Sequence, residues 1–269
     1  MKTSTSMPNK PDKASENKPI VYRILAIAFW LFVWQAASVA IGQDILLVSP
    51  ITVMQTLFRL MSTADFYRSV AVSLGRILLG FSLACVLGIA LSVLSARFSF
   101  VRTLLDPMML VIKATPVASF VILALVWIAS KNLSIFTSFL MVLPLIYTGV
   151  LSGIESVDIR LLEMARVFQM RQRKMIFALY IPAAFPQFLT ACQLGLSMCW
   201  KAGIAAEVIG QPANSIGDKL YRAKLFLSTD ELFAWTLTII AVSALFEFIV
   251  LRLIKRLRSA YVGGESNEI

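Results

Sequence analysis

The chain has 269 residues, 58% of them hydrophobic and only 15% charged, with a net charge of +10 and no histidine. That composition excludes an ordinary soluble domain, for which about 45–50% apolar and about 25% charged residues are usual, and the absence of histidine removes the commonest metal ligand and general base. The positive charge does not point to nucleic acid, because the cations fall in the gaps between long apolar runs, as expected for a protein that crosses a bilayer.

Residues 1–19 are polar, carry three prolines, and read as a disordered cytoplasmic tail. A first span is predicted over Ile20–Ile41; Ser38-Val39-Ala40 faintly resembles a signal-peptidase site, but the apolar run exceeds a usual signal core, which favours a retained helix. Ser49-Pro50 suits a helix start, and Ile51, Met54, Leu57, Phe58 and Met61 then make one apolar face of a short helix lying at the membrane interface. Further spans are predicted over Ser69–Ala96, Leu104–Ser130, Ile135–Ile154, Ala183–Gly210 and Leu232–Leu253, the last two joined by a polar loop. Residues 259–269 form a polar tail. The expected architecture is all-α, a membrane domain over 20–258 with six transmembrane helices; the runs are far too long for barrel strands. Cys85, Cys192 and Cys199 lie inside spans and read as free buried thiols.

Six spans place both termini on one side. Sixteen Lys and Arg lie on that side, six on the other, and three (Arg76, Lys113, Lys201) within spans. The asymmetry makes the termini cytoplasmic, and with them the charged interlude at 155–182 between spans four and five.

In that interlude Leu161, Met164, Ala165 and Phe168 fall at i, i+3, i+4 and i+7, one stripe of a helix that Asp158 could cap, while Arg160, Glu163 and Arg166 occupy the other faces. After Gln169 a second short amphipathic helix is expected, with Pro182 marking entry to span five. Periodicity alone leaves two readings open: an interfacial loop whose cations only set orientation, or a docking surface.

Glu163-Met164-Ala165, Gln169, Leu179, Ile181 and Pro182 resemble the Glu-Ala-Ala loop of permease subunits of binding-protein-dependent ABC importers, with Met164 replacing the middle alanine and Gln169 the usual glycine. The resemblance runs over about Leu47 to Arg258. It includes LVSPITVMQTL, SLGRILLGFSLACVLGIALSVLSA, Lys113-Ala114-Thr115-Pro116, GVLSGIESVDIRLLEMARVF and Ala205-Ala206-Glu207, and it is similar to the nitrate/sulfonate/taurine class. It implies that Leu161, Glu163, Met164, Ala165, Arg166, Phe168 and Gln169 form a coupling surface for a separate cytoplasmic ATPase. It also implies an extracytoplasmic solute-binding protein, a second permease chain (most simply a homodimer), the inner membrane of a prokaryote, and a small anionic or polar solute. At Gln169 the tight turn of the family is in question, since a glutamine serves there readily only if its φ is negative. No G-x-x-x-x-G-K-S/T phosphate loop occurs, so the chain is expected to be a transport subunit that binds no cofactor, with ATP used by its partner.

Inside the membrane, Arg76 sits near the outer end of span two and is expected to snorkel. Lys113, Thr115 and Pro116, where the proline loosens the helix, are candidates for the translocation route, together with Lys201 and Glu207, which are six residues apart and on different helix faces. The competing reading satisfies these lysines at helix contacts or with Glu207 or Glu247. Gly75, Gly80, Ala84 and Gly88 read as close-packing positions. The rival function, an ion-coupled carrier or small channel, would transport without any ATPase and usually shows internal repeats, which are not evident here. A membrane enzyme lacks a nucleophile–base or metal constellation.

Overall fold

The computed structural model describes residues 18–262, so most of the expected N-terminal tail and residues 263–269 lie outside it. Among the described residues the chain is all helical. Helix α1 (Lys18–Ile41) is apolar on every side, and Phe29, Trp30, Phe32 and Val39 are exposed around it, the pattern of a helix facing lipid. Its end is tied down where Trp34 donates to the Val48 carbonyl and Ser38 to that of Leu47. Helix α2 (Pro50–Met61) starts as its sequence predicts, with Ser49 accepting from the Thr52 N–H and Pro50 in the first turn. Val53 and Thr56 are buried, and Ile51, Met54, Phe58 and Met61 are exposed along the opposite side. Leu57 belongs with the packed side instead, against Val48, Val53 and Ala234.

Three long helices make the core: α3 (Ala64–Arg97), α6 (Ser130–Glu155) and α9 (Ile181–Gly210). In lipid there is little hydrophobic drive between helices, so close backbone approach and hydrogen bonds hold them. A Cβ on Gly80 of α3 would collide with the Ile135 carbonyl of α6, and one on Gly153 of α6 with the Ala184 backbone of α9. Gly80, Ala84 and Gly88 are therefore contact residues as expected, but Gly75 is exposed with nothing near its missing side chain. The contacts run in register: Gly80 meets α6 at 135–139 and Gly88 at 146–147, so α3 and α6 are parallel. Gly153 meets Ala184 and Gly203 meets Ser138, so α9 runs antiparallel to both.

The expected third span is not one helix. It breaks into α4 (Ser99–Ala114) and α5 (Val117–Ala124), which meet at 104°. Pro116 is the cause, because its ring keeps Thr115 out of the helical region, and Thr115 is extended at φ −76°, ψ 127°. Arg102 of α4 pairs with Glu155 at one end of α6, while Leu125, just past α5, lies by Gly210 at the opposite end. The bent pair thus joins the two ends of the bundle.

Beyond α7 (Ile159–Val167), the second short helix is not separate either. Helix α8 (Gln172–Met175), a π-turn at Ile176–Tyr180 and α9 run on as one 39-residue helix, Gln172–Gly210. Pro182 has no N–H for the Ala178 carbonyl, and the chain absorbs this by widening, with the Ile181 N–H bonding to the Ile176 carbonyl five residues back. The polar loop after span five contains a further helix, α10 (Ile216–Leu225), and α11 (Thr229–Val262) continues well past the predicted end at Leu253. Among the described residues four helices are long and apolar enough to cross a membrane, and the bent pair makes a fifth if it is one span.

Candidate functional site

Two regions at opposite ends of the long α8–α9 helix carry most of the unusual chemistry. At its start stands α7. Asp158 caps it as predicted, accepting from the Arg160 N–H at 2.9 Å. Its end is a Schellman stop, in which the Met170 N–H bonds to the Ala165 carbonyl (2.9 Å) and the Gln169 N–H to the Arg166 carbonyl (3.0 Å). Such a stop places the residue after the cap in the left-handed region, and Gln169 has φ +48°. The expected condition of a negative φ is therefore not met: the glycine-type turn is kept, with glutamine held in it at some cost.

The predicted stripe is largely presented to the outside. Leu161 is 43% exposed, Met164 45% and Phe168 72%, and Glu163 and Arg166 flank them in the open. Ala165 is the exception; at 1% exposure it is buried. Ile159 and Val167, which the heptad-style reading passes over, are exposed too and widen the apolar surface. The result is a nine-residue helix held at both ends, with Leu161, Met164 and Phe168 turned outward, an exposed apolar surface of the kind that meets a membrane or a partner's groove.

At the far end of α9 lies Glu207, with no solvent exposure at all. Its Oε2 accepts from Ser73 Oγ of α3 (2.6 Å) and from the Gly217 N–H of α10 (3.3 Å), and Ser73 Oγ in turn accepts from the Ile216 N–H (2.9 Å). Arg76 Nη1 stands 3.6 Å from Oε1, with its side chain 17% exposed. Arg76 does not snorkel, as position alone suggests; the buried carboxylate draws it into the bundle. Gly217 is required here, because a Cβ on it would overlap Glu207 itself. The S-x-x-D spacing of Ser215 and Asp218 announces α10: Ser215 Oγ accepts from the Asp218 N–H at 3.0 Å, and Asp218 pairs with Arg222 one turn on.

The other candidates do not converge. Lys113 is exposed, with Nζ 3.4 Å from Thr148 Oγ1. Lys201 is exposed beside Cys199, whose carbonyl accepts from Ser138. Thr148 and Ser138 are about 15 Å apart along α6 at helical rise, so the two lysines sit at different levels. Thr115 and Pro116 form the bend itself. Glu207 turns to Arg76 and not to Lys201. Among the described residues no group of three or more His, Cys, Asp or Glu is placed to hold a metal.

Residues 84–259 match the family described as binding-protein-dependent transport system inner membrane component. The putative aliphatic sulfonates transport permease protein SsuC of Bacillus subtilis is 26% identical over 96% of this chain and 97% of its own. The nitrate import permease protein NrtB of a Synechocystis species is 28% identical over 71% of this chain and 72% of its own. The taurine transport system permease protein TauC of Escherichia coli is 25% identical over 83% of each.

Proposed function

The chain belongs to the family of binding-protein-dependent transport system inner membrane components, and on that premise we propose that it is the permease subunit of an ATP-driven importer. Its solute is a small anionic or polar molecule of the sulfonate, nitrate or taurine type, the substrates named for its relatives. The observation that carries the reading is α7: a capped helix whose Leu161, Met164 and Phe168 stand exposed among the described residues. A separate ATPase chain takes that stripe into a groove, with Glu163 and Arg166 at its rim and Gln169 setting the exit angle. Ala165 contributes from beneath by fixing the helix.

Six spans fit the described helices if α1 crosses with the four long helices and the bent α4–α5 pair. The Lys and Arg asymmetry then supports cytoplasmic termini and a cytoplasmic α7, with 155–182 as the coupling loop of a single membrane domain over 20–258. ATP belongs to the partner chain, a solute-binding protein delivers from outside, and a second permease chain completes the pathway. The exposed Lys113 and Pro116 and the half-buried Thr115 at the bend of α4–α5, and the exposed Lys201, are the residues proposed to face the solute; Glu207 bears on the route by fixing its outer end. The test is co-purification of an ATPase with the tagged chain, scored together with solute uptake. Failure of any nucleotide-binding subunit to travel with the wild-type chain sinks the proposal. Unchanged uptake in Lys113→Met and Lys201→Met removes the pathway assignment alone.

A further inference from the structure

At the α7 end of the bundle, α3, α6 and the start of α9 leave an open groove of about 200 Å³, lined by Ile89, Val93, Val150, Ile176, Phe185 and Phe188 with almost no polar surface. The π-turn at Ile176–Tyr180 contributes Ile176 and Tyr180 to its wall. The groove has a charged mouth. Arg97 ends α3 one turn beyond Val93 and two beyond Ile89, so it continues their face. Arg173 precedes Ile176 by three residues and shares its face in the same way. Both arginines are exposed, and neither is in an ion pair among the described residues. The one carboxylate ending a helix that lines the groove, Glu155 of α6, is engaged by Arg102.

We propose that this groove is a binding site for an anionic phospholipid of the membrane, one acyl chain lying along Val93, Val150 and Ile176 and the headgroup phosphate held between Arg97 and Arg173. The apolar trough alone would accept any chain. Two unneutralised guanidinium groups from different helices at its mouth select a negative headgroup, which arginine can grip bidentately. The site lies one turn from the exit of α7, so an occupied groove would brace the root of the α8–α9 helix.

The test is native mass spectrometry of the purified full-length chain in detergent, titrated with phosphatidylglycerol and with phosphatidylcholine of the same acyl chains. The wild type should hold phosphatidylglycerol on the order of tenfold more tightly. The Arg97→Gln/Arg173→Gln variant should lose that preference, and Arg97→Lys/Arg173→Lys should retain most of it. Val93→Trp, which fills the trough from an exposed position, should weaken both lipids. Equal affinity of the wild type for the two lipids, or a preference surviving the double glutamine variant, overturns the proposal. So does efficient cross-linking between two copies through Val93→Cys, which would make the groove a protein interface. None of these readouts depends on an ATPase, so they stand apart from the importer reading.

Discussion

The two ends of the α8–α9 helix solve opposite problems. At one, Glu207 is fully buried and holds α10 and α3 to α9 through Ser73, Gly217 and Arg76; at the other, α7 turns Leu161, Met164 and Phe168 outward. A buried charge is expensive unless every neighbour cooperates, so the Glu207 end should tolerate little change and little motion. The exposed apolar groups of α7 gain little from packing in their own chain, which suits a surface kept for another molecule. The difference suggests a rigid Glu207 end and a receptive α7 end, joined by a helix about 58 Å long at helical rise, through which displacement of one can be felt at the other.

The comparison breaks most readily at Glu207. Glu207→Ala leaves Arg76 facing an empty apolar site and takes the acceptor from Ser73 and Gly217, and should cost about 3–5 kcal/mol, read as a fall in thermal stability in detergent. Pairing it with Arg76→Met should recover part of that loss, because the orphaned cation is then gone. A single variant within about 0.5 kcal/mol of wild type would show that the Glu207 end is not locked. Next in size is Phe168→Asp on α7. It should leave stability within about 0.5 kcal/mol, as exposed sites do, yet weaken capture of the ATPase by about 30-fold or more, as expected for a central apolar contact worth at least about 2 kcal/mol. Loss of stability without loss of capture would reverse the assignment of the two ends.

Ala165 sharpens the contrast within a single helix. By spacing it belongs to the docking stripe; in the structure it is buried. Ala165→Leu should therefore destabilise by about 1–3 kcal/mol through overpacking, whereas Met164→Leu beside it should change almost nothing in stability. If Ala165→Leu is silent in thermal melts and reduces ATPase capture, the residue faces the partner after all.

How much of this was readable from the sequence follows from how local each cause is. The four long apolar helices, the Ser49 and Asp158 caps and the outward Leu161, Met164 and Phe168 of α7 depend on neighbours a turn away, and these were legible. The break at Thr115–Pro116 was signalled by the proline, but its angle is set by α6 and α9, against which the two halves pack. The Arg76–Glu207 pair joins residues 131 apart in the chain, and nothing in the spacing of either announces the other. Pro182 misled in the opposite sense: proline suggests a boundary, yet a π-turn carried the helix through it. Helix α10 was missed because its polar composition hides a helix, although Ser215 and Asp218 held the signal.

The smallest effect concerns the root of the α7 end, where glutamine occupies a position made for glycine. Gln169 has φ +48° because the two hydrogen bonds of the Schellman stop, to the Ala165 and Arg166 carbonyls, require it. A side chain there costs about 1–2 kcal/mol in the left-handed region, and glycine gives back part of that gain through the greater freedom of its unfolded chain. Gln169→Gly should therefore stabilise the turn by about 1 kcal/mol or a little less, read as slower hydrogen exchange at Gln169 and Met170, with ATPase capture unchanged. Slower exchange with faster transport would mean that strain at this turn limits how freely α7 follows its partner. Faster exchange in the glycine variant would mean that the glutamine side chain holds the turn by contacts outweighing its backbone cost, and the α7 end would then be less pliant than its exposed surface suggests.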